Sequence, residues 1–369
     1  MKANGYERFI CLLFAVFIGG WMLAFCISPK RSFSETENRT LAQAPELSLS
    51  AVADGSYMKK LETYIADQFP LRDQWVELKS ASEYVLGLRE FNGIYLCGDR
   101  LIAKVEEPDQ EQLERNLGYV QKLAENSGRP VYFALIPTAA EIWKDRLPAG
   151  SVSYDQAALI RSTQQGSTSF VDILGQLECH SGEEIFYRTD HHWTSLGAYY
   201  GYRAVMEAMG REPKPISEYS PRTVSRAFNG TLYSTSGIHW LAPDHIETYV
   251  SDTGVSVISY EGAGEMPGAM YHEEYLNKKD KYSYFMGGNQ PMVFLKNPAA
   301  EGGSLLVIRD SYMDSLLPFL SQEFSEICAI DLRYYHASVY QLLQGYDQVL
   351  VCYGTANFLT ERNLVFLTQ

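Results

Sequence analysis

The sequence predicts an α/β fold: a three-layer sandwich on a mainly parallel sheet, with a β-rich insertion and an N-terminal membrane anchor helix. Three observations predict it. Strand-like and helix-like runs alternate between residues 108 and 136 and again after 300, which is the pattern of a parallel sheet covered by helices. The apolar runs 131–136, 304–308 and 348–352 have the character of strands buried inside such a sheet. Between about 213 and 300 the chain becomes Gly- and Tyr-rich and loses helical period, so a β-rich region is inserted there.

Residues 9–27 form an uncharged run, preceded by Lys2 and Arg8 and followed by Pro29. At 1.5 Å per residue it spans a hydrocarbon core and is long for the core of a secretory signal. No small-x-small site closes it, and Phe25 before Cys26 argues against lipidation. An uncleaved anchor over 1–30 is therefore expected, with the body outside the cytoplasm. Residues 31–90 read as a helical stalk or collar, with Leu61, Tyr64 and Ile65 on one face and Pro70 breaking the pattern. The main domain, 91–369, opens with the hairpin signals Asn92-Gly93 and Gly98-Asp99. A helix follows Pro108, with an apolar face of Leu113, Leu117, Val120 and Ala124, and Gly128 ends it. Helical pattern covers 196–209 and 316–324, and strand pattern 327–332.

Composition is globular, with 46% hydrophobic and 21% charged residues, which excludes a mostly disordered chain. A net charge of -14 without a basic stripe excludes nucleic acid as a partner. Cys97, Cys179, Cys328 and Cys352 of the body have no zinc-ligand spacing. The 26 Tyr and 17 Phe permit stacking on a sugar.

Chemistry concentrates in Asp190-His191-His192-Trp193, directly before the helical pattern of 196–209. Asp190 and His192 are two apart, so in extended or turn backbone their side chains leave on one side and can hydrogen-bond. A carboxylate that fixes an imidazole tautomer is two-thirds of a nucleophilic triad. A structural reading, two satisfied histidines beside a buried tryptophan, fits the same stretch. A metal site on Asp190, His191 and His192 is disfavoured, because adjacent histidines rarely share one ion and the chain has no helical His-x-x-x-His. No cofactor is expected.

Arg309-Asp310-Ser311-Tyr312 lies where the strand of 304–308 ends and a helix begins. In an open α/β sheet that is where reactive groups gather. Ser311 is either the nucleophile on a tight strand-to-helix turn or a helix N-cap. Gly287-Gly288-Asn289 is a candidate source of oxyanion donors or a plain hairpin turn. Arg309, Tyr312 and His191 are further candidates for contact with substrate, and Pro137–Glu141 and Asn357 are placed to line the same crevice.

Asp190-His191-His192-Trp193 resembles the motif that names the bacterial DHHW proteins, relatives of the SGNH-hydrolase-like proteins that O-acetylate alginate. The likeness takes in Ser34-Glu35-Thr36-Glu37-Asn38-Arg39, Asp67-Gln68-Phe69-Pro70-Leu71-Arg72-Asp73, Asn92-Gly93-Ile94-Tyr95, Asp310-Ser311-Tyr312 and Asp331-Leu332-Arg333-Tyr334-Tyr335. It implies an SGNH-like domain in which Asp190 and His192 are acid and base and Ser311 the nucleophile. It also implies a membrane-bound O-acyltransferase partner that delivers the acyl group. Two departures stand out: Asp190 and His192 precede the serine, and Arg309 replaces the glycine of a Gly-Asp-Ser motif. The expected activity is O-acetylation of a cell-envelope or secreted polysaccharide. The rivals are an esterase of the same fold and a non-catalytic polysaccharide-binding or assembly protein.

Overall fold

The structure, a computed structural model, describes residues 5–34, 36–37, 39–261 and 264–368. Lys2, Glu35 and Asn38, named above, lie outside the described residues. The chain divides into two compact units, Met1–Leu88 with Gly237–His239, and Arg89–Ser236 with Trp240–Gln369.

The first unit holds the helix Gly5–Ile27, which is long and apolar enough to cross a membrane. Beyond it in the chain, the helices Ser56–Asp67 and Arg72–Val85 meet at a break caused by Pro70. Charged residues between 31 and 73 close this break. Buried Asp67 accepts from Arg39 Nη2 at 2.5 Å and from the Ala42 N–H at 2.8 Å. Arg31 pairs with Asp73 at 2.9 Å, and Arg72 pairs with Glu37.

The second unit begins with a three-stranded antiparallel sheet, Glu90–Phe91, Ile94–Cys97 and Arg100–Ala103. Asn92 and Gly93, at φ of 52° and 78°, form the first turn. Both angles are positive, as the tight hairpin turn requires. The central sheet has eight strands in the order Gly264–Gly268, Ser256–Glu261, Met292–Lys296, Glu326–Ile330, Ser304–Arg309, Gln348–Gly354, Val131–Ile136 and Ser169–Phe170. The five from Glu326–Ile330 onward are parallel and the other three antiparallel. Residues 305–308 and 349–352 are wholly buried. Helices cover these apolar runs on both faces, and the core sits against them.

Within the expected insertion, Ser256–Glu261, Gly264–Gly268 and Met292–Lys296 extend the central sheet, because Met292–Lys296 pairs antiparallel with Glu326–Ile330. Arg222–Phe228 and Asp244–Thr248 form a two-stranded sheet of their own. The helix expected over 316–324 shrinks to Leu317–Leu320, preceded by a five-residue 3-10 turn, Ser311–Ser315. Pro318 has no N–H and is accepted only in the first turn of that helix.

The strand Ser304–Arg309 is flanked by its two successors, Glu326–Ile330 on one side and Gln348–Gly354 on the other. The chain thus leaves it in one direction and returns in the other, which makes its C-terminal end a topological switch point.

The C-terminal segment is tied down by Asn116, fully buried on the helix Gln110–Asn126. Its Nδ2 donates to the carbonyls of Phe358 at 2.7 Å and Glu361 at 2.9 Å. Asn116→Ala strands two buried acceptors and should cost about 2–3 kcal/mol, read as a fall of several degrees in Tm. An unchanged Tm would mean that the carbonyls find water and that Asn116 ties nothing down.

Candidate active site

The segment around Asp190 is a tight loop closed by its own ends. Tyr187 N–H donates to the His192 carbonyl at 3.2 Å and Thr194 N–H to the Ile185 carbonyl at 3.0 Å. Thr194 then caps the helix Ser195–Ala208 by accepting from Gly197 N–H at 3.2 Å. Inside the loop, Asp190 Oδ1 accepts from His192 N–H at 3.0 Å, a side-chain-to-backbone turn that fixes the two residues relative to each other. Trp193 is wholly buried against this helix. Gly201 permits the approach, since a Cβ there would lie 2.6 Å from the indole.

Three contacts join this loop to the turn after Ser304–Arg309, about 120 residues later. Trp193 Nε1 donates to the Tyr312 carbonyl at 2.8 Å. Tyr312 hydroxyl donates to the His191 carbonyl at 2.5 Å. Ser311 Oγ and His192 Nε2 are 2.9 Å apart. His192 Nδ1 lies 2.6 Å from Asp190 Oδ1. The structure therefore brings Asp190, His192 and Ser311 into one hydrogen-bonded row at the switch point. With Nδ1–H donating to the carboxylate, Nε2 is left as the acceptor of the serine proton.

The row is held from outside by residues that sequence reasoning did not single out. Asp190 Oδ2 accepts from Thr231 N–H at 2.8 Å and from its hydroxyl at 3.1 Å. Gly230 allows this, because a Cβ there would sit 2.2 Å from that of Asp190. Asp244 accepts from Thr189 N–H at 2.8 Å and from its hydroxyl at 2.6 Å. The Tyr282 ring stacks on His192 with centroids 3.7 Å apart and planes 6° from parallel. Its hydroxyl donates to the Ser311 carbonyl at 3.2 Å and lies 3.1 Å from Ser315 Oγ. Asn229-Gly230 is a turn signal that could have pointed to Thr231; nothing in the sequence pattern marks Asp244 or Tyr282.

Electrostatics follow from burial and neighbours. Burial pushes the Asp190 carboxyl up, but the neighbouring His191 and His192 imidazoles, the hydrogen bond from His192 and that from the Thr231 N–H outweigh it and hold the group well below the usual carboxylate range. His191 keeps a third of its side chain exposed, but the protein packed around the ring displaces enough water, and the adjacent His192 adds to the effect, to push the imidazole down to about 4. Asp310 is pushed up by burial, opposed by donors from Asn357 Nδ2 at 2.7 Å and Gly354 N–H at 2.9 Å. Asp190, His191 and His192 offer ligand atoms within 4.8 Å of one another. Both ring nitrogens of His192 are already engaged, by Asp190 and by Ser311.

Three expected contacts, those of Arg309, Tyr312 and Pro137–Glu141, are turned away from the crevice. The Arg309 side chain is 0% exposed and sits 2.6 Å from Asp314, so it faces the interior and not the crevice. Burial pushes the Asp314 carboxyl up to about 7 against the pull of that guanidinium. Tyr312 is buried, with its hydroxyl spent on the His191 carbonyl. Gly288 N–H donates to the Phe285 carbonyl at 3.4 Å, and Asn289 Oδ1 accepts from Arg333 at 3.3 Å. Among the described residues no hydrogen bond links either one to Ser311. His191 remains partly exposed, with Nδ1 2.7 Å from Thr231 Oγ1. Pro137–Glu141 is turned inward: Thr138 N–H donates to Gln156 and Glu141 accepts from the Gln156 N–H, each at 3.0 Å. A cavity of about 740 Å³ lined by Tyr219, Tyr249, Tyr271 and Tyr284 includes none of the row.

His191 generates a pH dependence. Its ordinary value is near 6.5 and its folded value about 4, so between these the unfolded chain binds more protons than the folded one. Stability must then fall as pH drops through that window. His191→Gln should flatten the fall between pH 6.5 and 4 in thermal denaturation; an unchanged slope would show that His191 does not titrate there.

The chain is 28% identical over 189 residues to the probable alginate O-acetylase AlgJ of Pseudomonas aeruginosa, 47% of each chain. It is 24% identical over 195 residues to the same-named protein of Pseudomonas putida, 49% of this chain and 48% of the relative. The chain thus matches about half the length of these curated relatives. A crystal structure of a DHHW family protein from Eubacterium siraeum superposes with a TM-score of 0.65 at 24% identity, covering 76% of this chain and 96% of that one. Bacillus cereus PatB1, solved with a sulfonyl adduct, superposes at 0.64 and 19% identity, covering 74% and 98%. Both likenesses are of fold, an SGNH-like α/β sandwich. The family model described as DHHW protein matches residues 124–330, more than half of the 369, and the chain belongs to the DHHW protein family.

Proposed function

We propose that this chain is a membrane-anchored, extracytoplasmic O-acyltransferase that moves acetyl groups onto a cell-envelope or secreted polysaccharide, with Ser311 as nucleophile, His192 as base and Asp190 as its orienting carboxylate. The observation that carries it is the unbroken row from Asp190 Oδ1 through His192, 2.6 Å, to Ser311 Oγ, 2.9 Å. The names of the AlgJ relatives support the substrate class, and the apolar helix Gly5–Ile27 supports the anchor.

In the first half-reaction His192 Nε2 takes the Ser311 proton while Oγ adds to the acyl carbonyl of a donor. Collapse of the tetrahedral intermediate expels the donor's leaving group, which takes the proton back from His192. In the second, His192 deprotonates a sugar hydroxyl, whose oxygen attacks the acyl-serine, and Ser311 leaves with the proton. The Ser311 N–H, first donor of the 3-10 turn, has no acceptor within that turn, whereas the Tyr312 N–H is spent on Asp310 at 3.1 Å. Ser311 N–H would therefore be the backbone donor to the oxyanion, with the Asn289 amide as a second candidate. Acetyl-CoA is not expected outside the cytoplasm, so a membrane-bound O-acyltransferase would supply the acyl group. An esterase is the second reading, because water can replace the sugar in the same geometry.

Ser311→Ala should abolish acyl transfer from a p-nitrophenyl acetate probe without lowering Tm, and Asp190→Asn should cost about 10⁴ in kcat through the wrong tautomer. Turnover retained by purified Ser311→Ala would refute the assignment. Faster consumption of the probe with an oligosaccharide acceptor, and acetylated acceptor as product, separates transferase from esterase. Tyr282→Phe should keep the stack on His192 and most of kcat, whereas Tyr282→Ala should lower kcat about tenfold with little change in KM. Equal losses in both would place the effect in the hydroxyl rather than the ring.

A further inference from the structure

In the first unit, the helix Arg72–Val85 is amphipathic in the wrong sense for a soluble protein. Val76 and buried Ser80 form its inward face and pack closely on Gly237. Its outward face is a stripe at four- and three-residue spacing. Leu71 at the cap is 61% exposed, Trp75 45%, Leu78 54% and Val85 82%. Polar Gln74 and Lys79 flank it, and Ser82 is the one polar residue within it. A water-facing helix reverses this arrangement, with charge outward. Met58 and Ile65, seven apart on the helix Ser56–Asp67, are exposed as well.

The stripe is continuous with the apolar helix Gly5–Ile27. Trp21 stacks on Phe69 at 5.2 Å and meets Trp75 edge-on at 5.7 Å, and Phe25 meets Tyr64 at 5.8 Å. Length fixes what these contacts mean. The uncharged run is residues 9–27; with 21–27 set aside, twelve residues remain, about 18 Å of helix. A hydrocarbon core is about 30 Å thick. A bilayer crossed by this helix must therefore include Trp21, and Trp75, in contact with Trp21, lies at the depth of the acyl chains. Lys30 marks the exit, with its ammonium 3.5 Å from the Phe25 ring.

We propose that the face Leu71, Trp75, Leu78 and Val85 is a lipid-binding surface, bedded at the boundary of headgroups and acyl chains in the leaflet where the anchor emerges. The occupant is the bilayer itself: the stripe carries no cation, so apolar burial and not attraction to anionic lipid holds it there. This rests on the anchor reading given above and adds a second attachment to it.

The test uses the full chain in nanodiscs, with the exposed Cys11, Cys26 and Cys179 replaced by serine and single spin labels at Leu71→Cys, Leu78→Cys, Val85→Cys, Phe14→Cys in the anchor and exposed Glu114→Cys in the second unit. Power saturation compares collision with oxygen, which concentrates in lipid, and with a nickel chelate, which stays in water. The expected result is an oxygen-to-nickel ratio at 71, 78 and 85 severalfold above that at 114 and shifted toward that at 14. A lipid signal at 14 with water-like values at 71, 78 and 85 overturns the proposal and leaves the anchor standing. Low collision with both reagents at the stripe also overturns it, because a protein surface then covers the face. A water-like value at 14 removes the anchor reading and this one with it.

Discussion

The site depends on one buried indole. Trp193 Nε1 donates to the Tyr312 carbonyl at 2.8 Å, and this bond sits in the apolar core, where leaving either group unpaired would cost about 1–3 kcal/mol. It clamps the loop that carries Asp190 and His192 to the turn that carries Ser311. The Tyr312 hydroxyl donates back to the His191 carbonyl at 2.5 Å, so two bonds run in opposite directions across the same seam. Between them the distance from His192 to Ser311 is set by packing and not by the attraction of the two side chains. A pair held that way is preorganised: it need not be assembled when substrate arrives.

Electrostatic order follows from the same burial. A carboxylate out of water is tolerated only if its lone pairs are satisfied, and Asp190 meets that condition with His192 on one oxygen and Thr231 on the other. Asp244 does the same for the Thr189 amide and hydroxyl next to it. The consequence is directional. An ionised Asp190 fixes the proton on Nδ1 of His192, and the Tyr282 ring on the imidazole face leaves little freedom for it to turn away from Ser311.

Much of this was legible in the sequence, for reasons of range. Four of the five parallel strands were legible because burial on both faces writes continuous apolar runs, whereas the two-residue edge strand Ser169–Phe170 is too short to write one, and the Asn92-Gly93 turn was legible because a positive φ restricts residue choice. Asp190 with His192 was legible because the bond joins residues two apart. Ser311 was legible from the punctuation between strand and helix. Thr231 had only the Asn229-Gly230 turn beside it as a signal, and Asp244 and Tyr282 had none: the three reach the row from 41, 55 and 90 residues away along the chain from Asp190, Thr189 and His192, and no period or turn rule sets a pairing at that distance. The antiparallel extension of the sheet was hidden for a similar reason. The segment 292–296 reads as a strand from its own residues, but which neighbour it pairs with is decided by Glu326–Ile330, about thirty residues on.

Arg309 shows how a single position can be misread on chemistry alone. A guanidinium beside a candidate nucleophile suggests an oxyanion partner, yet side chains alternate along a strand, and 309 shares the face of fully buried Leu305 and Val307. Its charge is instead met by Asp314 at 2.6 Å, on the far side of Ser311 in the same turn. Residues 309 and 314 thus brace the turn from within. Two guanidinium nitrogens, Nε and Nη2, have no protein acceptor, and Asp314 Oδ1 meets Arg309 as an ion pair without a hydrogen bond, so the brace is no simple gain in stability; a buried pair recovers its desolvation only with good geometry and full hydrogen bonding. What it supplies is fixation of the turn. A glycine at 309 would restore the backbone freedom of a Gly-Asp-Ser motif but would leave Asp314 buried opposite a void. The two positions are therefore coupled, and a glycine at 309 requires an uncharged residue at 314 for the Ser311 turn to keep its shape.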